Sequence, residues 1–333
     1  MTQQTANNPA TSNTNAILVI NCGSSSVKFS LIDPENGKTS LSGLAERLLS
    51  AQASLKFTQH NNSINEKLIA PYDHQSAISS LVKVLKKEQL IDKIFAVGHR
   101  VVHGGEAYSK PTLITDKVKE TIKQLAQIAP LHNPANLLGI NAAQSTFATI
   151  PHIAIFDTAF HQTMPKESYI YGIPYDLYQQ HGIRRYGFHG TSHDYVSIQA
   201  AKLLDRPRNQ CNFISAHLGN GCSVVAIKNG KSIDASMGFT PLEGVMMGTR
   251  SGDLDPGIIF HLVEQLSYSL KEVNELLNKK SGLLGVSGIS NDCRELEQAI
   301  TADKNSQAKL ALTIFSYRIA KSIASFSAAL EQL

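Results

Sequence analysis

Asn21-Cys22-Gly23-Ser24-Ser25-Ser26 is a short polar turn between two apolar runs, residues 16–20 and residues 27–33. A second glycine turn, His217-Leu218-Gly219-Asn220-Gly221-Cys222-Ser223, also lies between two apolar runs much later in the chain. An apolar run, a tight turn and a second apolar run indicate a β-hairpin, which here occurs twice. Backbone N–H groups in such turns, with no side chain in the way, form concavities that fit phosphate oxygens. The repeated hairpin therefore predicts a nucleotide held in a cleft between two related α/β domains.

The length and composition of the chain agree with two folded domains. The 333 residues are 42% hydrophobic and 17% charged, which leaves enough apolar side chains for two cores. Disorder is therefore expected only at the ends of the chain. We predict a disordered tail over residues 1–15, an N-terminal domain over residues 16–150 and a C-terminal domain over residues 151–333.

Charge and hydropathy argue against nucleic-acid and membrane partners. The net charge is +4, and the densest basic cluster (Lys83, Lys86 and Lys87) lies on the outer face of a predicted helix. Such a cluster is typical of a solvated helix face. No apolar run approaches the roughly 20 residues that span a bilayer. The four cysteines show no CxxC spacing, which favours free thiols in a reducing cytoplasm.

Several shorter patterns place polar residues at the ends of predicted elements. A buried strand over residues 153–156 ends at Asp157, at the sheet edge where α/β proteins position their chemistry. Three interpretations of Asp157 are open from sequence patterns alone: a structural cap, a magnesium ligand, or a carboxylate aligned with substrate. Thr191-Ser192-His193-Asp194 resembles a capping sequence for a helix that runs to Leu204. Asn229-Gly230 predicts a type I′ turn.

Two arginines and a pair of histidines lie in glycine-rich segments. Arg100 and Arg250 suit a planar carboxylate or a phosphoryl group, and the alternative for each is a structural salt bridge. His189 and His193 have HxxxH spacing, but a zinc site would need a third ligand. A histidine that faces a phosphate in a tight loop is the preferred interpretation. Asn21, Ser24, Ser26 and Lys28 do not form a Walker A loop, because the lysine lacks the GxxxxGK spacing.

Eight blocks of sequence, in one order, give the chain a close resemblance to the acetate/propionate kinase family. The blocks cover essentially the whole length and are residues 19–28, 98–105, 129–134, 156–161, 185–193, 216–221, 248–256 and 288–294. The resemblance implies a duplicated actin-like, sugar-kinase fold. It also implies transfer of the ATP γ-phosphoryl group to acetate by direct in-line displacement, with Mg²⁺ or Mn²⁺ as cofactor. Family members resemble homodimers, so a second copy of the chain is an expected partner.

The resemblance also implies roles for individual residues. The predicted catalytic residues are Asp157, His189 and Arg250. Arg100 is expected to bind the substrate carboxylate, and the small apolar pocket for its acyl chain is expected to consist of Val102, Leu131, Phe188 and Pro241.

The nucleotide and metal roles come from the same resemblance. Asn21 is expected near the metal ion. The predicted nucleotide-binding residues are Ser24, Ser26, Lys28, His217, Leu218, Gly219, Asn220, Gly221, Asp292, Cys293 and Arg294.

The last helical pattern, residues 306–333, ends without a capping signal. Family members continue with a further glycine loop and a later glutamate, so we expect a second domain that is truncated at its C-terminal end. The alternatives to an active acetate kinase are a catalytically impaired remnant and a propionate kinase with a similar pocket. A non-enzymatic actin-like nucleotide switch is disfavoured, because it would not need Arg100, His189 and Arg250 together.

Overall fold

The computed structural model describes residues 15–59, 62–130 and 132–330. Residues 1–14 of the predicted tail and the predicted pocket residue Leu131 lie outside the described residues. The chain divides into two compact units. The first unit contains the residues up to Val101 together with Pro111–Ile155, and the second contains Val102–Lys110 together with the residues from Phe156 onward.

The described part of the first unit contains one mixed eight-stranded sheet and three α-helices. In chain order the elements are β1 (Ala16–Gly23), β2 (Ser26–Ile32), β3 (Thr39–Glu46), β4 (Ser54–Gln59), β5 (Asn62–Lys67), α1 (His74–Lys87), β6 (Ile94–Val101), β7 (Thr112–Leu113), α2 (Asp116–Gln124), α3 (Asn133–Thr146) and β8 (His152–Phe156). The strand order is β5-β4-β3-β2-β1-β6-β8-β7. β1 pairs with β2 in the antiparallel sense and with β6 in the parallel sense, so β1 is a central strand.

The core of the first unit follows from alternation along β1. Leu18, Ile20 and Cys22 are buried, whereas the residues between them are half-buried. The same cluster includes Ile78 and Leu81 of α1, which are three residues apart and therefore share one helix face. Burial of this face fixes the end of β1, where the first glycine turn begins.

Within the described residues, the second unit contains a three-stranded antiparallel sheet and eight α-helices. Its elements are α4 (Lys166–Tyr169), α5 (Tyr175–His181), α6 (Gly190–Leu203), β9 (Asn212–Leu218), β10 (Cys222–Lys228), β11 (Lys231–Ala235), α7 (Gly257–Glu264), α8 (Leu270–Lys279), α9 (Gly282–Ser287), α10 (Cys293–Asp303) and α11 (Ser306–Leu330). The strand order is β11-β10-β9. Phe315 and Phe326 of α11 pack with Val224 of β10 in one apolar cluster. The predicted last helix is thus confirmed over residues 306–330, and residues 331–333 lie outside the description.

Both predicted hairpins are present. β1 and β2 are joined by the two-residue turn Ser24-Ser25, and β9 and β10 by the three residues Gly219-Asn220-Gly221. The turn between β10 and β11 has positive φ angles at Asn229 (53°) and Gly230 (76°), which confirms the type I′ turn. Each unit therefore begins its sheet with a hairpin followed by a third antiparallel strand. Within the described residues, no helix has the length and apolar character needed to cross a membrane.

The contact between α3 and the end of β1 supports a test of the first unit. A Cβ atom on Gly139 would lie 2.1 Å from Cys22 Sγ and 2.7 Å from Cys22 Cβ. Gly139→Ala gains about 1 kcal/mol of helix propensity but incurs an overpacking cost of about 1–3 kcal/mol. We expect the clash to outweigh the propensity gain, because the buried sulfur cannot turn away into solvent. The thermal unfolding midpoint should fall by about 2–6 °C.

Gly172→Ala is the matched control. No atom lies within 4 Å of a Cβ built on Gly172, and its φ is outside the left-handed region. It should leave the midpoint unchanged or slightly raised. Equal thermal unfolding midpoints for the two variants would show that a methyl group on Gly139 of α3 does not clash with Cys22.

Candidate active site

Three polar residues of the first unit lie in one row across neighbouring strands. Asn21 pairs with Lys28 across the β1–β2 hairpin, and Ile20 pairs with His99 of the parallel strand β6. Arg100 therefore lies beside Asn21, one position further along β6. Paired residues project from the same face of a sheet, and adjacent strands are about 5 Å apart. The register thus brings Lys28, Asn21 and Arg100 to one sheet face, where Lys28 is exposed and the other two are half-buried.

Two buried side chains hold the backbone in the first half of the first glycine turn, before Ser24. His74, the first residue of α1, donates from Nε2 to the carbonyl oxygen of Gly23 at 2.7 Å. Asn136 of α3 donates from Nδ2 to the carbonyl oxygen of Cys22 at 2.7 Å. The turn that follows presents an exposed Ser24 and a half-buried Ser26. These two helices therefore position the hairpin that the sequence predicts to bind phosphate.

A buried pair of histidines lies beside Arg100. His152 Nε2 donates to the carbonyl oxygen of Phe147 at 3.1 Å, so its Nδ1 accepts a hydrogen bond from His99 Nε2 at 2.9 Å. Burial, together with the smaller effect of the neighbouring His152, lowers the pKa of His99 to about 3. Both rings are therefore neutral near pH 7. The pair supports this part of β6 without adding positive charge beside Arg100.

Asp157 and His189 meet at the beginning of α6. The N–H of Gly190 donates to the carbonyl oxygen of Asp157 at 2.9 Å, and a Cβ on Gly190 would lie 2.3 Å from that oxygen. Asp157 is almost completely buried. His189 occupies the N-cap position with a left-handed φ of 57° and makes no side-chain cap. Main-chain packing therefore fixes the position of His189 relative to Asp157.

The capping sequence predicted at Thr191-Ser192-His193-Asp194 is wrong, because α6 begins at Gly190. The Asp157 carbonyl satisfies the N–H of Gly190, so no hydroxyl is needed there. The Ser192 hydroxyl instead contacts His217 Nδ1 at 2.9 Å.

The β9–β10 hairpin holds the imidazole of His189. His189 Nδ1 lies 2.9 Å from Ser223 Oγ, and the ring stacks on His217 with centroids 4.2 Å apart and planes 26° apart. His217 and Ser223 are directly opposite each other in the hairpin register. One face of the second hairpin thus supplies both the stacking partner and the hydrogen-bond partner of His189.

Arg250 and His189 converge on the second glycine turn. A Cβ on Gly221 would lie 3.4 Å from Arg250 Nη1 and 3.5 Å from His189 Nε2. Arg250 Nη1 also donates to the carbonyl oxygen of Pro241 at 3.1 Å. Burial lowers the pKa of Arg250 below its ordinary value, yet a guanidinium remains charged at neutral pH. Donors aimed at one small region can stabilise negative charge that develops there.

Asn220 connects the second glycine turn to two other segments. Its carbonyl oxygen accepts from the N–H of Gly248 at 2.9 Å, and its Oδ1 accepts from Asn291 Nδ2 at 2.7 Å. A Cβ on Gly248 would lie 2.0 Å from Asn220 Oδ1, so a side chain there would displace the Asn220 carboxamide from Asn291. Leu218, Gly219 and Asn220 are exposed, whereas His217 and Gly221 are half-buried. The turn that is predicted to bind phosphate is therefore exposed to solvent, and the hydrogen bonds of Asn220 hold it in position.

The predicted nucleotide-binding residues Asp292, Cys293 and Arg294 lie at the N-terminus of α10, directly after Asn291. Asp292 caps this helix by accepting from the N–H of Arg294 at 2.9 Å, and it also pairs with Arg294 Nη2 at 2.6 Å. These bonds from Arg294 lower the pKa of Asp292 to about 2. Cys293 is half-buried, and burial raises the pKa of its thiol. The hydrogen bond between Asn291 and Asn220 brings this segment to the second glycine turn.

The predicted acyl pocket is only partly assembled in the described residues. Val102 and Phe188 are buried in one apolar cluster of the second unit. His161 donates from Nε2 to the carbonyl oxygen of Phe188 at 3.0 Å, which fixes the residue before His189. Pro241 is half-buried and contacts Arg250 through its carbonyl oxygen. Leu131 lies outside the described residues.

The sequence patterns missed Ser223 and the role of His193. His193 Nε2 lies 2.7 Å from Ser223 Oγ, and its Nδ1 lies 2.9 Å from Ser215 Oγ. Burial lowers the pKa of His193 to about 3. Ser223 could have been found from the hairpin alone, because a three-residue turn places it opposite His217. The approach of His193 depends on tertiary packing and has no local signal.

Comparisons with known proteins show the family to which the chain belongs. A sequence model of the acetokinase family matches residues 16–333. The acetate kinase of Shewanella baltica (strain OS155 / ATCC BAA-1091) is 53% identical over 321 residues, which are 96% of this chain and 80% of that protein.

Two solved structures share the fold. The crystal structure of a propionate kinase from Francisella tularensis subsp. tularensis SCHU S4 has a TM-score of 0.92 at 47% identity, covering 96% of this chain and 82% of that one. Porphyromonas gingivalis acetate kinase has a TM-score of 0.89 at 45% identity, covering 95% of this chain and 80% of that one. The predicted α/β fold of the actin-like type, with its large mixed sheet, is thereby confirmed. The chain belongs to the acetokinase family.

Proposed function

We propose that this chain transfers the γ-phosphoryl group of ATP to acetate, forming acetyl phosphate and ADP, and catalyses the reverse reaction. An acetate oxygen forms a bond to the γ-phosphorus as the bond to the β,γ-bridging oxygen breaks. ADP leaves with that electron pair. The placement of His189 Nε2 and Arg250 Nη1 around Gly221 carries the proposal, because both can donate to one transferring group. Membership of the acetokinase family supports it.

The reaction needs cationic stabilisation more than acid–base catalysis. Carboxyl groups have pKa values of about 4, so acetate is already ionised near pH 7 and needs no general base. Charge in the transition state spreads over three equatorial phosphoryl oxygens, where donors on a fixed frame are effective. We assign this role to Arg250 and His189. Asp157, buried at the beginning of α6, orients the reacting groups rather than accepting a proton.

The row of polar residues in the first unit has complementary roles in this proposal. Lys28, with the turn of Ser24 and Ser26, neutralises the nucleotide phosphates. Arg100 binds the acetate carboxylate, for which the two parallel donors of a guanidinium are suited. In the second unit, the turn from His217 to Gly221 takes phosphate oxygens on its exposed N–H groups, and Asp292, Cys293 and Arg294 contact the adenosine.

A divalent metal ion is used in this family, and we propose Mg²⁺, with Mn²⁺ as the alternative. Mg²⁺ prefers oxygen ligands and keeps several waters and substrate phosphates, so it needs few protein ligands. Asn21 fits this role because its carboxamide is half-buried and makes no side-chain hydrogen bond within the described part of the chain. When bound, the ion would neutralise phosphate charge.

The choice of acid depends on the apolar cluster around Val102 and Phe188. Both side chains are buried, which favours a small acyl group such as the acetate methyl. Propionate is the second candidate, because the chain shares 47% identity and a TM-score of 0.92 with the propionate kinase of Francisella tularensis.

We also propose a cytoplasmic homodimer. All four cysteines are free thiols, which fits a reducing compartment. Phe260 and Leu270, on α7 and α8, are 62% and 72% exposed, so this face carries large apolar side chains that a second copy could cover.

The direct test of the reaction is ³¹P NMR of the purified chain with ATP, Mg²⁺ and acetate. Resonances of acetyl phosphate and ADP should grow together. Failure to form acetyl phosphate under conditions in which the Shewanella baltica enzyme forms it would contradict the proposal and favour a catalytically impaired relative.

Loss of either arginine should remove much of the transition-state stabilisation. Arg250→Ala and Arg100→Ala should each cost about 2–4 kcal/mol, or about 30- to 900-fold in kcat/KM. For Arg250 the loss should appear mainly in kcat, and for Arg100 in the KM for acetate as well. Steady-state kinetics of both variants measure the two effects.

Arg208→Ala is the matched control, since Arg208 is half-buried in an ion pair with Asp194 and has no assigned role in the reaction. It should retain wild-type kinetics. A kcat for Arg250→Ala within a few-fold of wild type would refute the role given to Arg250.

Enlarging the acyl pocket should change the preference between acids. Val102→Ala removes two methyl groups from a buried position, leaving room for one more methylene. Each methylene buried is worth about 0.8 kcal/mol, so the propionate-to-acetate ratio of kcat/KM should rise about 4-fold. Val225→Ala, in a different apolar cluster, is the control for general loss of packing. An unchanged ratio in Val102→Ala would remove Val102 from the pocket.

A further inference from the structure

Ser223 lies at the centre of a buried chain of hydrogen bonds that ends at the imidazole of His189. Its Oγ is 2.9 Å from His189 Nδ1 and 2.7 Å from His193 Nε2. His193 Nδ1 is in turn 2.9 Å from Ser215 Oγ. Ser223 and His193 are both fully buried, so no solvent competes for these bonds. The order along the chain is Ser215, His193, Ser223 and His189.

The stack on His217 and the bond to Ser223 constrain different features of the His189 ring. Stacking at 4.2 Å fixes the plane of the ring, and His217 is itself held by Ser192. Stacking alone does not determine which ring edge faces Gly221. The bond from Nδ1 to Ser223 does, because it directs Nε2 towards the glycine turn.

The single proton of the Ser223 hydroxyl links the protonation of the two histidines. In one arrangement His193 Nε2 donates to Ser223, and Ser223 donates to His189 Nδ1, so a neutral His189 has its proton on Nε2. In the reverse arrangement His189 Nδ1 donates to Ser223, and a neutral His189 has no proton on Nε2. Only the first arrangement lets a neutral His189 donate a hydrogen bond to a phosphoryl oxygen.

We propose that Ser223 is a positioning residue that directs Nε2 of His189 to the glycine turn and, supported by His193, keeps the proton on that nitrogen. The inference rests on the proposed function, because it assumes that His189 donates to the transferring group. Ser223 itself does not touch substrate. It acts only through the orientation and tautomer of His189.

The test compares Ser223→Ala with Ser223→Thr, which retains a hydroxyl, and with the control Ser197→Ala. Ser197 is buried on α6 and its hydroxyl donates to the carbonyl oxygen of Asp194, so this control removes a buried hydroxyl outside the chain of bonds. Ser223→Ala should lower kcat about 10- to 100-fold, with the KM values for ATP and acetate within about 2-fold of wild type. Ser223→Thr should recover most of that loss.

The tautomer of His189 is read separately from ¹⁵N chemical shifts of the imidazole nitrogens in labelled protein. Wild type and Ser197→Ala should show a protonated Nε2, and Ser223→Ala should show a mixture of tautomers. If Ser223→Ala does not fold, Ser223→Cys takes its place, because a thiol has similar volume and forms only weak hydrogen bonds.

Either of two results would overturn the inference: the same kcat for Ser223→Ala and Ser197→Ala, or unchanged His189 shifts in Ser223→Ala. Failure of the proposed function looks different, since the wild-type chain would form no acetyl phosphate. In that case the ¹⁵N shifts alone decide whether Ser223 sets the tautomer of His189.

Discussion

The absence of a side chain at three glycines, each of which lies close to a group of the site, is the constraint on which the second unit's site depends. Gly190 lies against the carbonyl oxygen of Asp157, Gly248 lies against Asn220, and Gly221 lies between Arg250 and His189. A methyl group at Gly190 or Gly248 would lie closer than 3.0 Å to a neighbouring oxygen. These contacts bring the beginning of α6, the second glycine turn and the segment of Arg250 together. A side chain at Gly190 would push the beginning of α6 away from the Asp157 carbonyl, which is a main-chain atom and cannot turn aside.

The same hairpin geometry supports different chemistry in the two units. In the first hairpin the register pairs Asn21 with Lys28, and in the second it pairs His217 with Ser223. Paired residues share a sheet face, so each hairpin presents two side chains beside its turn. A register slip of one residue would move them to the opposite face. The first face offers a fixed positive charge and an oxygen ligand, whereas the second offers a stacked imidazole and a hydroxyl.

The sequence predicted the features that depend on local patterns. Both hairpins, the turn at Asn229-Gly230 and α11 follow from apolar periodicity and glycine placement. β5 is exposed along its whole length, so no alternation marks it, and α4 and α9 are too short for helical periodicity to appear. The capping error at α6 has a tertiary cause, because the N–H of Gly190 bonds to Asp157. The contact of His193 with Ser223 also depends on tertiary packing, so the sequence could not predict it.

Buried neutral histidines form a large part of the internal framework. Burial lowers the pKa of His99 and His193 to about 3 and that of His103 and His161 to about 4. These pKa values lie below the unfolded value of about 6.5, so the rings favour the folded state above that pH and oppose it as the pH falls. His161 and His193 each use both ring nitrogens in hydrogen bonds without adding charge near pH 7. Positive charge for the phosphates and the carboxylate is thereby left to lysine and arginine, which are charged near pH 7.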